Sequence, residues 1–263
     1  MRTLIISDLH LDFWAEEKRD PFEEVASELK ALDLIILAGD VSNKPKVNWA
    51  PSLQRVAEYA PSALIYVVPG NHDFYNFRFD GEDLLAEIAA SNGALLAQMR
   101  KIEVGAVRFL CTTLWTDMEL GLGYKVNSRE AAGRMNDYRL IRAAEKGFKR
   151  LRPENTVSRH RDHLAWLEQE LANPFAGKTV VVTHHAPHPK IFRPAGVKGL
   201  EAVYASDLAE QIVRFQPDLW CYGHYHQGRD LKVGNTQIMN VSLGYPEEIT
   251  KPAERILRAI FDF

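Results

Sequence analysis

At 263 residues, with 46% apolar, 10% aromatic and 25% charged side chains, the chain has the composition of a globular protein long enough for a sizeable core. Its formal charge of −3 argues against an extended nucleic-acid surface, which needs a basic stripe, and leaves room only for a local phosphate pocket. Cys111 and Cys221 lie in apolar runs without metal-binding spacing, so both are expected as buried thiols outside any disulfide framework.

Leu4-Ile5-Ile6 reads as a short buried strand close behind Met1, with no basic and apolar leader before it. Asp20-Pro21 reads as a helix start, with Phe22, Val25, Ala26 and Leu29 on one face. Leu34 to Leu37 is a second buried strand, a helix around Leu53 to Tyr59 follows, and Leu64 to Val68 is a third strand. Continuous apolar strands alternating with helices predict a parallel sheet covered on both faces. A helix near Leu84 to Ala90 leads to strands at Ile102–Val104 and Val107–Thr112. Helical pattern is weak from Asp117 to Arg152, which reads as an elaborated loop or cap segment, about 115–155, of a single 1–263 domain.

An amphipathic helix carries His160, Leu164, Leu167 and Leu171, and Val180 to Val182 is again a buried strand. Ser206 reads as the cap of a helix with Leu208, Ile212 and Phe215, and Leu219 to Tyr222 is the next strand. Strands near Leu231, near Ile238 and at Ile256–Phe261 are expected to close the chain. No apolar run approaches the roughly 18 residues of a membrane span, so a soluble, cytoplasmic protein is expected.

The chemistry lies where strands run out. Asp8-Leu9-His10, Gly39-Asp40, Gly70-Asn71-His72-Asp73, Thr183-His184-His185 and Gly223-His224-Tyr225-His226 each follow an apolar run. In open α/β sheets, loops at the carboxyl ends of strands converge on one crevice. Carboxylate, imidazole and amide groups gathered there suit a pair of divalent transition metals, and Mn, Fe, Zn and Ni all accept such a mixed set. Glycines 39, 70 and 223 are expected to let the backbone turn sharply before a ligand. Each motif alone is common; the ordered set is not.

This set resembles the calcineurin-like metallophosphoesterases over nearly the whole chain. The resemblance implies an α/β fold, a four-layer α/β/β/α sandwich of two stacked mixed sheets, with a dinuclear metal centre at one edge. It implies that Asp8, His10, Asp40 and His226 hold one ion, and that Asp40 bridges to a second held also by Asn71, His184 and His224. His72 would be the catalytic imidazole, oriented by Asp73. His185 competes with His184; the latter is favoured because it ends the strand directly, leaving His185 substrate-facing and His188 a solvated loop residue.

The expected reaction is phosphoester cleavage by a hydroxide bridging two ions, with His72 assisting the leaving oxygen. The substrate is expected to be a small phosphorylated molecule, a monoester or a diester. A nucleotide-type pyrophosphatase and a catalytically silent metal-binding scaffold for protein partners are the alternatives. Arg139, Asn136, His185 and Tyr245 are the candidate substrate contacts, with Arg193, Lys198, Tyr75, Trp115 and Tyr138 as further candidates.

Overall fold

The structure, a computed structural model, describes residues 1–143, 147–192 and 199–263. The first half runs β1 (Arg2–Ile6), α1 (Leu11–Glu16), α2 (Ala26–Lys30), β2 (Leu34–Ala38), α3 (Pro45–Tyr59), β3 (Leu64–Val68), α4 (Glu82–Ser91) and β4 (Ala94–Leu96). Then come β5 (Arg100–Val104), β6 (Val107–Thr112), α5 (Tyr124–Arg134), α6 (Asp137–Leu140), β7 (Arg142–Ala143), β8 (Lys149–Arg150) and α7 (Pro153–Ala172). The remainder is β9 (Lys178–Thr183), α8 (Glu201–Tyr204), α9 (Ala209–Phe215), β10 (Leu219–Tyr222), β11 (Leu231–Val233), β12 (Thr236–Asn240), α10 (Pro252–Arg258) and β13 (Ile260–Asp262).

Two mixed sheets form, in the orders β13-β1-β2-β3-β4 and β11-β12-β10-β9-β6-β5. Strand alternation sorts their side chains into three apolar layers. Ile5, Ile36 and Val68 of the first sheet meet Phe109, Val180 and Cys221 of the second between the sheets. Leu4, Ile6, Ile35 and Val67 point the other way, onto Leu29, Trp49, Leu53, Leu85 and Ile256 of the covering helices. Val181, Trp220 and Ile238 turn outward from the second sheet onto Leu167 of α7 and Ile212 of α9. Helices therefore cover both outer faces, and the expected four-layer sandwich is what forms. Each fully buried Leu, Ile or Val in these layers contributes about 1.5–3 kcal/mol.

Several elements depart from the expectation. Residues 252–258 are helical, because Pro252 at the first helical turn presets the backbone and Ile256 faces the core; only the tail is a strand, β13, antiparallel to β1. The stretch after Asp117 holds α5, which buries little besides Asn127 and Ala131 and so lacks an apolar stripe. Ser206 caps no helix; its Oγ accepts from the Asp117 N–H at 3.1 Å.

The inner strands β1, β2, β3, β9 and β10 deliver the motif loops to one edge of the sandwich. There an isolated Ser7–Ser242 bridge stitches the two sheets together. On α7, His163 Nδ1 accepts the Leu114 N–H at 3.1 Å while His160 Nδ1 lies 3.0 Å from the Leu114 carbonyl. This pins a left-handed turn, φ 72° at Leu114 and 52° at Trp115, and brings Trp115 beside His185 with ring centroids 5.0 Å apart.

Candidate metal centre

Asp8, His10, Asp40 and His224 all have left-handed backbone, with φ of 54°, 45°, 57° and 65°. Non-glycine residues seldom tolerate this, and such strain persists only where the surroundings impose it. Of the three glycines expected to relieve the turns, only Gly39 has positive φ, at 99°. Gly70 and Gly223 serve close approach: a Cβ on Gly70 would strike the Asp40 carboxylate, and one on Gly223 would strike Ser7 and Asp8.

The candidate ligands converge. Asp8, His10 and His226 form one group whose ligand atoms lie within 4.8 Å of one another, and Asp40, His184 and His224 form another. Asp40 Oδ1 is 3.4 Å from His184 Nε2, and its Oδ2 is 3.9 Å from His10 Nε2, so this carboxylate stands between the two. Asn71 Oδ1 completes the second group, 3.0 Å from His184 Nε2.

Hydrogen bonds behind these groups decide which way their lone pairs face. His184 Nδ1 lies 3.0 Å from the Ala38 carbonyl and must donate to it, so Nε2 turns a lone pair toward Asn71 Oδ1 and Asp40. The Asn71 amide nitrogen donates elsewhere, to Tyr75 and Asp137, which leaves its oxygen facing that lone pair. His226 Nδ1 lies 2.6 Å from the Glu248 carboxylate, so its Nε2 lone pair faces Asp8 at 3.4 Å and His10 Nε2 at 3.4 Å. His10 Nδ1 and His224 Nε2 are buried without a protein partner. Acceptor facing acceptor in a dry pocket is strongly unfavourable without a cation.

The titration behaviour has the same origin. Burial opposes charge on His184 and His226, yet the Asp40 carboxylate raises the former to about 9, and Asp8 with Glu248 raises the latter to about 10. Asp40 is held well below the usual carboxylate range, burial being overcome by His184 and His72. Burial and His184 lower His224 to about 3, and burial and His72 hold His10 well below the usual imidazole value. Positive charge is demanded between these groups, as protons or as cations, and the donor set of carboxylate, imidazole and amide oxygen fits two divalent transition ions.

Asp73 does not orient His72. Its carboxylate accepts from the backbone N–H of Asp40, Val41, Ser42 and Gly70 and from Trp49 Nε1, tying the second and third motif loops together. Burial, and next Asp40, push its pKa up to about 7. The partner of His72 is Asn43, whose Oδ1 is 2.9 Å from Nδ1. His72 Nε2 then points away, 3.5 Å from the Tyr245 hydroxyl.

His185 is enclosed, not substrate-facing: it is 1% exposed, its Nδ1 lies 3.2 Å from the Thr113 carbonyl, and its ring sits between Trp115 and His224. His188 is buried as well, its Nδ1 accepting the Lys190 N–H. Arg139 turns away to the Gly133 carbonyl, Tyr138 is buried on Thr156, and Arg193 and Lys198 lie outside the described residues.

Above the candidate ligands opens a cleft of about 470 Å³, lined by His72, Asn136, Tyr245 and Tyr75 and also by Arg134, Tyr204, Tyr225, Gln227 and Glu248. Tyr245 stacks on His10 with centroids 4.3 Å apart, and Tyr204 lies 4.7 Å from His224. Arg134, Asn43 and Glu248 had escaped the sequence reading. Asn43, three residues past Asp40 on the same loop, was the one within reach of a local pattern. A larger groove of about 940 Å³ runs along α1 and α3, but none of the candidate ligands lines it, and its Arg55 is paired with Asp20 and Glu58.

A family model described as calcineurin-like phosphoesterase matches residues 1–228. Among solved structures, a phosphopantetheinyl hydrolase from Mycobacterium tuberculosis superposes with a TM-score of 0.67 at 19% identity, over 94% of this chain and 90% of that one. A purple acid phosphatase from yellow lupin (Lupinus luteus) seeds matches with a TM-score of 0.47 at 14% identity, over 86% of this chain and 38% of the other. No curated protein matches the chain. The first superposition speaks for the fold, and the family match spans most of the sequence: the chain belongs to the calcineurin-like phosphoesterases and is a metal-dependent phosphoester hydrolase.

Proposed function

We propose that the chain hydrolyses a phosphomonoester or phosphodiester of a small soluble molecule bound in the 470 Å³ cleft. The observation that carries this reading is the convergence of lone pairs from Asp8, His10, Asp40 and His226 on one side and from Asp40, Asn71, His184 and His224 on the other. These residues would hold two divalent ions, with Asp40 common to both. When bound, the ions supply Lewis acidity, which makes water a nucleophile at neutral pH and offsets charge on the phosphoryl oxygens.

The chain's own groups do the rest. His72 keeps its Nδ1 proton on Asn43, so Nε2 faces the cleft and, when protonated, delivers a proton to the leaving oxygen. Tyr75, stacked on His72 with centroids 4.2 Å apart, limits the ring's motion. Arg134 and Asn136 at the rim would contact the part of the substrate remote from phosphorus; among the described residues the Arg134 guanidinium has one ion-pair partner, Glu130 at 3.7 Å. Pairing of β13 with β1 supports residues 1–263 acting as one unit, with the segment about 115–155 contributing to the cleft wall.

The test is a panel of aryl phosphates, aryl phosphodiesters and nucleotide pyrophosphates on metal-reconstituted protein, together with elemental analysis. Close to two ions per chain and activity abolished by chelation are expected. A folded sample that binds no transition metal and cleaves none of the panel overturns the reading.

A further inference from the structure

Asp137 opens α6 and is 4% exposed, a carboxylate with no part in the chemistry described so far. Its Oδ1 accepts two side-chain hydrogen bonds, from Asn71 Nδ2 at 2.9 Å and from the Tyr75 hydroxyl at 2.6 Å. An amide is nearly symmetric in shape, so a half-turn would exchange the Asn71 oxygen for an NH₂ group and present a donor where a cation needs an acceptor. A carboxylate can only accept, and facing the amide it favours the orientation with nitrogen toward Asp137 and Oδ1 toward His184. Through its other bond the same oxygen holds the Tyr75 phenol, whose ring lies against His72 at an interplanar angle of 29°.

We propose that Asp137 is a positioning residue that locks the Asn71 carbonyl oxygen toward the ion shared with His184 and His224, and steadies His72 through Tyr75. The proposal rests on the reading of Asn71 as a metal ligand. Side chains placed behind a ligand in this way are typically worth 10–100-fold in metal affinity. Sequence separation hides the arrangement: Asp137 is 66 residues from Asn71 and 62 from Tyr75.

The test is a calorimetric titration of metal-free protein with Zn²⁺. The step abolished in Asn71→Ala defines the ion concerned; if that variant keeps both steps, the ligand reading of Asn71 has failed. If it loses one step, Asp137→Leu should weaken that same step by about 10–100-fold and spare the other. Adding Asp137→Leu to Asn71→Ala should then cost nothing more. An unchanged step in Asp137→Leu, or equal weakening of both, overturns the proposal. Should Asp137→Leu fail to fold, Asp137→Asn keeps the shape and one acceptor but loses the charge; a weakening of about threefold or more confined to that ion is expected, since charge-assisted bonds are about twice as strong as neutral ones. No change in Asp137→Asn, or the same change at both ions, also overturns it. At saturating Zn²⁺, Tyr75→Phe should lower kcat on a poor leaving group, and a full kcat there removes the arm of the proposal that runs through His72.

Discussion

The two halves of the centre are held in different ways. On the side of Asn71, His184 and His224, the hydrogen-bond partners of the first two are buried: the Ala38 carbonyl behind His184, and Asp137 and Tyr75 behind Asn71. On the side of Asp8, His10 and His226, support comes partly from the late loop around Gly244 and Glu248, and the Glu248 side chain is 38% exposed. A ligand braced by buried groups loses little freedom on binding a cation, whereas one braced from a solvated loop must be ordered with it. The inner half should therefore bind its ion more tightly and release it more slowly than the outer half.

Asp40→Ala should erase that difference and have the largest effect, because among the described residues this is the carboxylate that stands between both groups. Elemental analysis should show both ions lost and hydrolysis abolished; retention of one tightly held ion would break the assignment of Asp40 as the shared ligand. His72→Ala should leave both ions in place while kcat falls by roughly 10²–10⁴, with substrates of very good leaving group hurt least. Equal loss on good and poor leaving groups would argue against proton delivery.

Glu248→Ala sharpens the comparison directly. About a tenfold weakening of the outer ion alone is expected in a metal titration. A loss confined to the inner ion would reverse the account. The smallest effect should come from Arg134→Ala, about a tenfold rise in KM for the physiological substrate with kcat nearly unchanged, the pattern of lost uniform binding. A small aryl phosphate that cannot reach the rim should be cleaved as before, and a uniform loss on both substrates would make Arg134 structural.

The layer order and the candidate ligands were legible because both depend on short-range pattern. Apolar runs such as Leu34–Leu37 and Val180–Val182 announce buried strands, and a polar residue just beyond each must lie at the strand's carboxyl end. Asp73 misled for the same reason. It neighbours His72 in sequence, yet the short 3-10 turn at His72–Phe74 aims its carboxylate at four backbone N–H groups. Glu248 meets His226 across 22 residues, which no local periodicity encodes, whereas Asn43 meets His72 across 29 but sits on the Gly39-Asp40 loop, where its place beside a motif was the only cue. The sequence points to Arg139 and gives no sign of Arg134; α5 and α6 turn the former to the Gly133 carbonyl and leave the latter on the cleft. The apolar residues of the 256–261 run fit either a strand or a helix period, and Pro252 is the cue that starts a helix before them.

The left-handed backbone at Asp8, His10, Asp40 and His224 has a consequence for how such a protein can be improved. All four are buried with unfavourable dihedrals, and His10 and His224 also crowd against neighbouring imidazoles, so the metal-free fold bears frustration where the chemistry is concentrated. Glycine at His224, where φ is 65° and burial and the neighbouring His184 oppose protonation, would relieve both burdens at once, and a selection for thermal tolerance of the metal-free chain would favour such a replacement while discarding catalysis. Robustness and turnover thus draw on the same few residues. A stabilising redesign should leave this edge of the sandwich untouched and work on the outer helices instead.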